Sequence, residues 1–278
     1  MNIKIDYDLC TGCGLCIKVC GSRRIAEGAE GKPYKIIEAG CNDCGHCVAV
    51  CPADAIVNTR VDMSEFRKMV SPGISADQFT NLVRNRRSIR NFKQEPLKKE
   101  HIDQILNVVR YIPTGSNKQG LKFKFITDPE LLGKISDEMA SKMSRVCEIA
   151  NMFPVKYFVS RKSRTSLKRL VDLYDKGHDS FLRGAPCLLV IYAEDKYFRI
   201  TQWDAGIASN TIDLSAQTIG IGTLMNGFFV ILSNRFRSIR KLIQLTKKQT
   251  VFTAICLGYP DIKYRKTVSR RPLDVTYL

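Results

Sequence analysis

Eight of the eleven cysteines fall between Cys10 and Cys51, in two copies of one pattern. Cys10-Thr11-Gly12-Cys13-Gly14-Leu15-Cys16-Ile17-Lys18-Val19-Cys20 matches Cys41-Asn42-Asp43-Cys44-Gly45-His46-Cys47-Val48-Ala49-Val50-Cys51 at an offset of 31 residues, and the Cys-Gly-x-Cys core recurs in register. This is an internal duplication of a short unit. Cysteines three residues apart are poorly placed to bridge one another but well placed to wrap a shared metal centre. Two such units bury too little apolar surface to hold themselves together, so bound metal must supply stability. The whole chain has 278 residues, 44% of them hydrophobic, which leaves room for a second domain with a core of its own.

Each copy reads Cys-x-x-Cys-x-x-Cys-x-x-x-Cys. A cubane cluster offers four iron corners to four thiolates, and two-residue gaps let one tight loop reach three of them. Two zinc ions, four thiolates each, are the rival occupants. Three evenly spaced cysteines plus a fourth, twice over, fit cubanes better. The segment resembles bacterial 8Fe ferredoxins, in which the fourth cysteine of each motif ligates the other cluster. That resemblance implies one 4Fe–4S cluster on Cys10, Cys13, Cys16 and Cys51, and a second on Cys41, Cys44, Cys47 and Cys20. Cys51-Pro52 has the usual Cys-Pro ending, whereas Cys20-Gly21 departs from it. Cys147, Cys187 and Cys256 lie in apolar or helical runs and read as buried structural thiols.

Between the halves, Glu30-Gly31-Lys32-Pro33 reads as a turn. Val61–Met69 predicts a short helix that Ser71-Pro72-Gly73 ends. Ser75, or Ala76-Asp77, caps the next helix, with Phe79, Leu82 and Val83 on its apolar face. Ile102, Ile105, Leu106 and Val109 share a helical face, and Leu131 to Val146 predict a long helix. Leu121–Ile126 alternates as a half-buried strand; Cys187–Tyr192 and Val251–Leu257 run continuously apolar, as buried strands do. Residues 199–219 and the Phe236, Ile239, Ile243 set predict two more helices. Gly220 to Gly227 reads as a glycine-rich loop, and Arg161 to Arg169 receives no assignment. The fold class is α+β.

The net charge of +17 lies entirely beyond residue 60, because residues 1–60 carry seven basic and seven acidic groups. A basic surface steers anionic partners: nucleic acid, a phosphorylated cofactor or an acidic electron carrier. No apolar run reaches the roughly 18–20 residues of a membrane span, and the N-terminus has no signal core. With the cysteines clustered for metal, the expected location is the cytoplasm.

Several segments of the second part resemble the nitroreductase family of FMN enzymes. They are Arg86-Arg87-Ser88-Ile89-Arg90-Asn91-Phe92, Pro113-Thr114-Gly115-Ser116-Asn117-Lys118-Gln119, Gly184-Ala185-Pro186 and Asp204-Ala205-Gly206. Gly220-Ile221-Gly222-Thr223, Leu257-Gly258-Tyr259-Pro260 and Arg270-Arg271-Pro272 complete the set. The chain thus resembles ferredoxin–nitroreductase fusions: residues 1–60 a two-cluster 4Fe–4S domain, 61–78 a linker, 79–278 an FMN-binding domain. The resemblance implies a central sheet flanked by helices in an intertwined homodimer. It implies that Arg86, Ser88 and Arg90, with Arg87 adjacent, hold the FMN phosphate together with Arg270 or Arg271. Pro113, Thr114, Gly115 and Asn117 would line the flavin ring, and Met225, Asn226 and Gly227 would approach N5 through backbone. Many members carry an acid near the place where Asn226 stands. A Rossmann site is unsupported, because Met225 occupies the place of the third glycine.

The expected activity is electron transfer from a low-potential donor such as reduced ferredoxin, through the clusters and FMN, to a nitro compound or quinone. NAD(P)H-driven flavin reduction is the alternative; a nucleic-acid-binding redox sensor and a pure electron carrier rank below it. No side chain stands out as a catalytic acid, since His46, His101 and His178 are scattered.

Overall fold

The computed structural model describes residues 2–28, 32–35, 40–194 and 198–278. It divides into two compact units, Met1–Gly73 with Ser116–Gln119, and Ile74–Gly115 with Gly120–Leu278. Residues 61–78, read above as a linker, are shared between them.

In the first unit the order is β1 (Ile3–Ile5), α1 (Leu15–Val19), β2 (Ile25–Glu27), β3 (Pro33–Lys35), α2 (His46–Ala49) and β4 (Ile56–Asn58). β1 pairs antiparallel with β4, Ile3 opposite Asn58, and β2 pairs antiparallel with β3. The duplication persists down to individual torsions. Gly14 and Gly45 start the two helices with φ of 67° and 74°. Gly12 and Asp43 match at 71° and 51°, and Arg23 and Asp54 both lie at 49°. Arg24 N–H donates to Cys20 Sγ at 3.1 Å, as Ala55 N–H donates to Cys51 Sγ at 3.3 Å. Cys20-Gly21 and Cys51-Pro52 therefore make the same local bond despite their different sequences. Ile25 and Ile56, again 31 residues apart, are both buried. The turn expected at Glu30-Gly31-Lys32-Pro33 lies partly outside the described residues; Pro33 itself opens β3. The helix expected at Val61–Met69 is only a 3₁₀ turn at Met63–Glu65, capped by Asp62 Oδ1 accepting from Ser64 N–H at 2.9 Å.

The second unit comprises α3 (Ala76–Asn85), α4 (Lys99–Val109), β5 (Lys122–Ile126), α5 (Pro129–Asn151), α6 (Arg161–Asp175), β6 (Cys187–Glu194), α7 (Phe198–Thr218), β7 (Gly222–Met225), α8 (Gly227–Arg235), α9 (Arg237–Leu242) and β8 (Gln249–Gly258). The sheet order is β5-β6-β8-β7, antiparallel throughout. The run Cys187–Ile191 is apolar at every position because both faces of β6 are covered. Leu188 and Val190 pack with residues of α5, α8 and α9, while Cys187, Leu189 and Ile191 pack with residues of α4 and α7. Helices on both faces of one sheet make a three-layer domain.

Two expectations need correction here, and one stretch without an assignment receives one. Gly222–Met225 forms β7, not part of a loop; its pairing with β8 is long-range, and glycine at 222 is needed because a Cβ would lie 2.6 Å from Ile89 Cγ1. The basic stretch from Arg161 is helical, with Leu167, Leu170, Val171 and Tyr174 at helical spacing against the core. Cys187 and Cys256 are fully buried, but Cys147 is only half-buried.

Candidate cluster and flavin sites

The first unit gathers its eight motif cysteines around two cavities. Cys10, Cys13, Cys16 and Cys51 line one. Cys20, Cys41, Cys44 and Cys47 line the other, of about 380 Å³. Each group takes three thiols from one copy of the repeat and the fourth from the other copy. The local cause is visible in each copy: the left-handed glycine before the helix turns three cysteines about one centre, and the helix carries the fourth away. Among the described residues no three Cys, His, Asp or Glu side chains are gathered as for a single ion. Four thiols spaced around a cavity suit a many-atom cubane. Burial pushes the Cys47 thiol up to about 11. Cys20 runs the other way: burial opposes it, but the Arg24 amide and the Ser22 hydroxyl hold its thiol below the ordinary value. His46 lines the second cavity.

In the second unit Arg90 shares a cavity of about 330 Å³ with Met225, Asn226, Gly227, Phe181 and Arg183. The Asn226 side chain is committed to the fold. Its Oδ1 accepts from Phe229 N–H at 3.0 Å, capping α8, and its Nδ2 donates to Phe181 O at 2.8 Å and toward Cys256 Sγ at 3.5 Å. The Asn226 N–H donates to Ala254 O at 2.8 Å. Gly227 and Phe228, in the first turn of α8, have amides with no intrahelical acceptor, so they are the donors this loop offers. Two guanidiniums, unpaired helix-start amides and apolar Phe228 and Ile231 suit a flat, electron-accepting ring that gains negative charge when reduced.

Ser180, Phe181 and Arg183 were not singled out in the sequence. Their turn is made by Asp179, whose carboxylate accepts from the amides of Phe181 (3.0 Å), Leu182 (2.9 Å) and Gly184 (2.9 Å) and from Ser136 Oγ (2.6 Å). The turn leaves Arg183 left-handed, at φ 61°. Aspartate followed by serine and a later glycine is a turn signal that could have exposed it.

The other expected residues are dispersed. Ser88 forms an isolated bridge with Thr223. In that extended segment successive side chains point to opposite sides. Arg90 lines the cavity above, whereas Arg87 and Ile89 line a separate one of about 540 Å³ with Lys93, Lys263 and Tyr264. Arg87 also donates to the carbonyls of Arg84 and Lys266. Arg86 lies 3.5 Å from buried Asp213, which accepts from Thr223 Oγ1. Gly115 N–H donates to Asp204 Oδ1 at 3.0 Å, so buried Asp204 fixes the end of the Pro113-Thr114-Gly115 loop. Asn117 belongs to the first unit and bonds within it. Arg270 and Arg271 lie in an exposed C-terminal segment without regular structure. His101 is taken up by Tyr259, its Nδ1 3.0 Å from the phenol oxygen.

Comparison with known proteins agrees with both units. A 4Fe–4S dicluster domain model matches residues 2–52, and a Nitroreductase family model matches residues 83–259. The chain is 27% identical to FMN reductase [NAD(P)H] of Bacillus subtilis over 63% of its length and 62% of that protein's. It is 24% identical to 4-nitrobenzoate reductase of Pseudomonas putida, over 72% of this chain and 92% of that one. A crystal structure of a nitroreductase with bound FMN from Bacteroides fragilis shares the fold, with a TM-score of 0.56 at 16% identity, over 71% of this chain and 98% of that one. A three-layer unit whose family model spans more than half the sequence, preceded by a matched dicluster domain, makes this chain a member of the nitroreductase family fused to a 4Fe–4S dicluster domain.

Proposed function

We propose that this chain passes electrons from a low-potential donor, by way of two 4Fe–4S clusters and FMN, to a small oxidised acceptor such as a nitro compound or a quinone. The protein is an oxidoreductase, and its cofactors are two 4Fe–4S clusters and FMN. The observation that carries the reading is the partition of eight thiols into two sets of four, each around its own cavity, in the same chain as a nitroreductase-family unit. On this reading Cys10, Cys13, Cys16 and Cys51 hold one cluster, and Cys20, Cys41, Cys44 and Cys47 the other. Arg90, expected at the phosphate, is on this reading assigned instead with the Met225-Asn226-Gly227 backbone to the flavin ring, because it lines their cavity, and Asp204 keeps Gly115 in place. Arg86 and Ser88, with Arg270 or Arg271, serve the phosphate. FMN accepts electrons singly or in pairs, which lets a one-electron donor feed a two-electron reduction.

The working form is a homodimer. Half-exposed Phe79 and Val83 on α3, and Trp203 (69% exposed) and Ile207 on α7, support it as apolar surface left uncovered in one chain. Among the described residues no helix is long and apolar enough to cross a membrane. A cytoplasmic, reducing location suits the free thiols.

Reduced ferredoxin is the preferred donor. Direct NAD(P)H use is the second reading, favoured by the name of the Bacillus subtilis relative. Anaerobic stopped-flow mixing separates them: flavin bleaching by reduced ferredoxin should outpace that by NADPH or NADH. Equal or faster bleaching by a nicotinamide donor overturns the preference.

A further inference from the structure

The two copies of the cysteine repeat differ in charge at two positions, Gly12 against Asp43 and Lys18 against Ala49, and only Asp43 brings a charge to the second copy. Where the first copy has Gly12, the second has Asp43, and both are left-handed. Asp43 sits beside its own cluster ligand, with Oδ1 3.7 Å from Cys41 Sγ. Four side chains hold it and its loop. Asn2 Nδ2 and Asn58 Nδ2 donate to Asp43 Oδ1 at 3.1 and 3.2 Å, and both asparagines are buried. Arg60 Nη2 lies 2.7 Å from Asp43 Oδ2 and also donates to Cys41 O at 3.3 Å. Asn117, in the same unit, donates from Nδ2 to the carbonyls of Asn42 and Asp43 at 3.0 and 3.1 Å. Glycine at position 12 has no side chain with which to build a counterpart. Gly12 takes the same left-handed turn with no such network, so the turn belongs to the Cys-x-x-Cys loop, and the network fixes where the Asp43 carboxylate points.

We propose that the Asp43–Arg60 pair sets the reduction potential of the second cluster, on Cys20, Cys41, Cys44 and Cys47, independently of the first. The inference rests on the cluster reading above. A 4Fe–4S centre gains one negative charge when it takes an electron, so nearby fixed charge shifts its potential. The Asp43 carboxylate faces the ligand loop and opposes reduction. The Arg60 guanidinium, half exposed on the far side, cancels most of that effect. Asn2, Asn58 and Asn117 act as positioning residues: they keep the carboxylate and the Cys41–Cys44 loop at fixed separation.

The test is an anaerobic redox titration of the full-length holoprotein at one pH, followed by EPR. Cys44→Ser, which disturbs one ligand of the second cluster, identifies that cluster's signal. Arg60→Met leaves the carboxylate uncompensated and should lower the midpoint potential of the second cluster. Asp43→Asn keeps an acceptor for both asparagines, removes the charge, and should raise the same potential. The first cluster should move less than half as far in each variant. Shifts of the same sign, equal shifts in both clusters, or no shift overturn the proposal. Should Asp43→Asn lose iron, Arg60→Met decides alone. A wild-type protein that binds zinc in place of iron defeats the cluster reading itself, and iron analysis reveals that before any variant is made.

Discussion

Residues 2–60 and the sheet unit hold their shape by different means. In the first unit the buried apolar cluster is Ile3, Cys16, Ile25, Val48 and Ile56, with Cys41, Cys47 and Cys51 packed against it. In the second, β6 alone contributes five consecutive fully buried residues, Cys187 to Ile191, and the sheet is covered on both faces. Apolar burial contributes in proportion to area, so the second unit can stand on its own core while the first leans on its metal. The cluster-binding part of the chain is thereby expected to depend on iron for its fold, and the flavin-binding part to fold on its own core.

The largest expected effect follows directly. Anaerobic iron chelation should abolish hydrogen-exchange protection across residues 2–60 and leave β5, β6 and β8 protected; hydrogen exchange read by mass spectrometry checks it. Equal loss in both units breaks the comparison. Next comes the reverse experiment. Leu189→Ala removes a fully buried side chain from the sheet and should cost about 2–5 kcal/mol in denaturant unfolding of the second unit. Its iron content should not change. Smaller still is Gly115→Ala. A Cβ there would meet Ile200 Cγ2 at 2.1 Å, so the loop held by Asp204 must shift. FMN should bind about tenfold more weakly, equivalent to ~1.4 kcal/mol, in a fluorescence titration. Retention of FMN at wild-type strength would remove the loop from the flavin site. A quieter contrast concerns the thiols outside the motif. Cys187 and Cys256 are pushed up to about 12 by burial, so iodoacetamide on the native protein should label Cys147 before either.

How much of this was legible in the sequence depended on whether the deciding contacts were local. The cysteine loops were, because each copy keeps its glycine and cysteines within eleven consecutive residues, and the 31-residue offset lets the two copies be compared directly. So was β6, whose unbroken apolar run reports cover on both faces. The helix Ala76–Asn85 was announced by its cap: Ser75 Oγ accepts from Gln78 N–H at 3.2 Å, and Gln78 Oε1 accepts from Ser75 N–H at 2.8 Å. Its apolar face is uncovered within one chain, which no single-chain pattern could foretell. β7 was missed because a short strand opening on glycine is defined by β8, some thirty residues on. The flavin cavity was half legible. Arg90 and Met225 to Gly227 carried a family pattern, whereas Ser180 to Arg183 enter only through the turn that Asp179 builds. Arg87 was placed with its neighbours by adjacency, and the extended backbone turned it to the other side.

One measurement reaches the centre of the account: an anaerobic UV–visible spectrum with iron, sulfide and flavin counts on the purified protein. Two cubanes and one flavin predict about eight irons, about eight sulfides and about one FMN per chain. About four irons, or bound zinc in place of iron, would contradict the two crossed sets of cysteines on which the electron path depends.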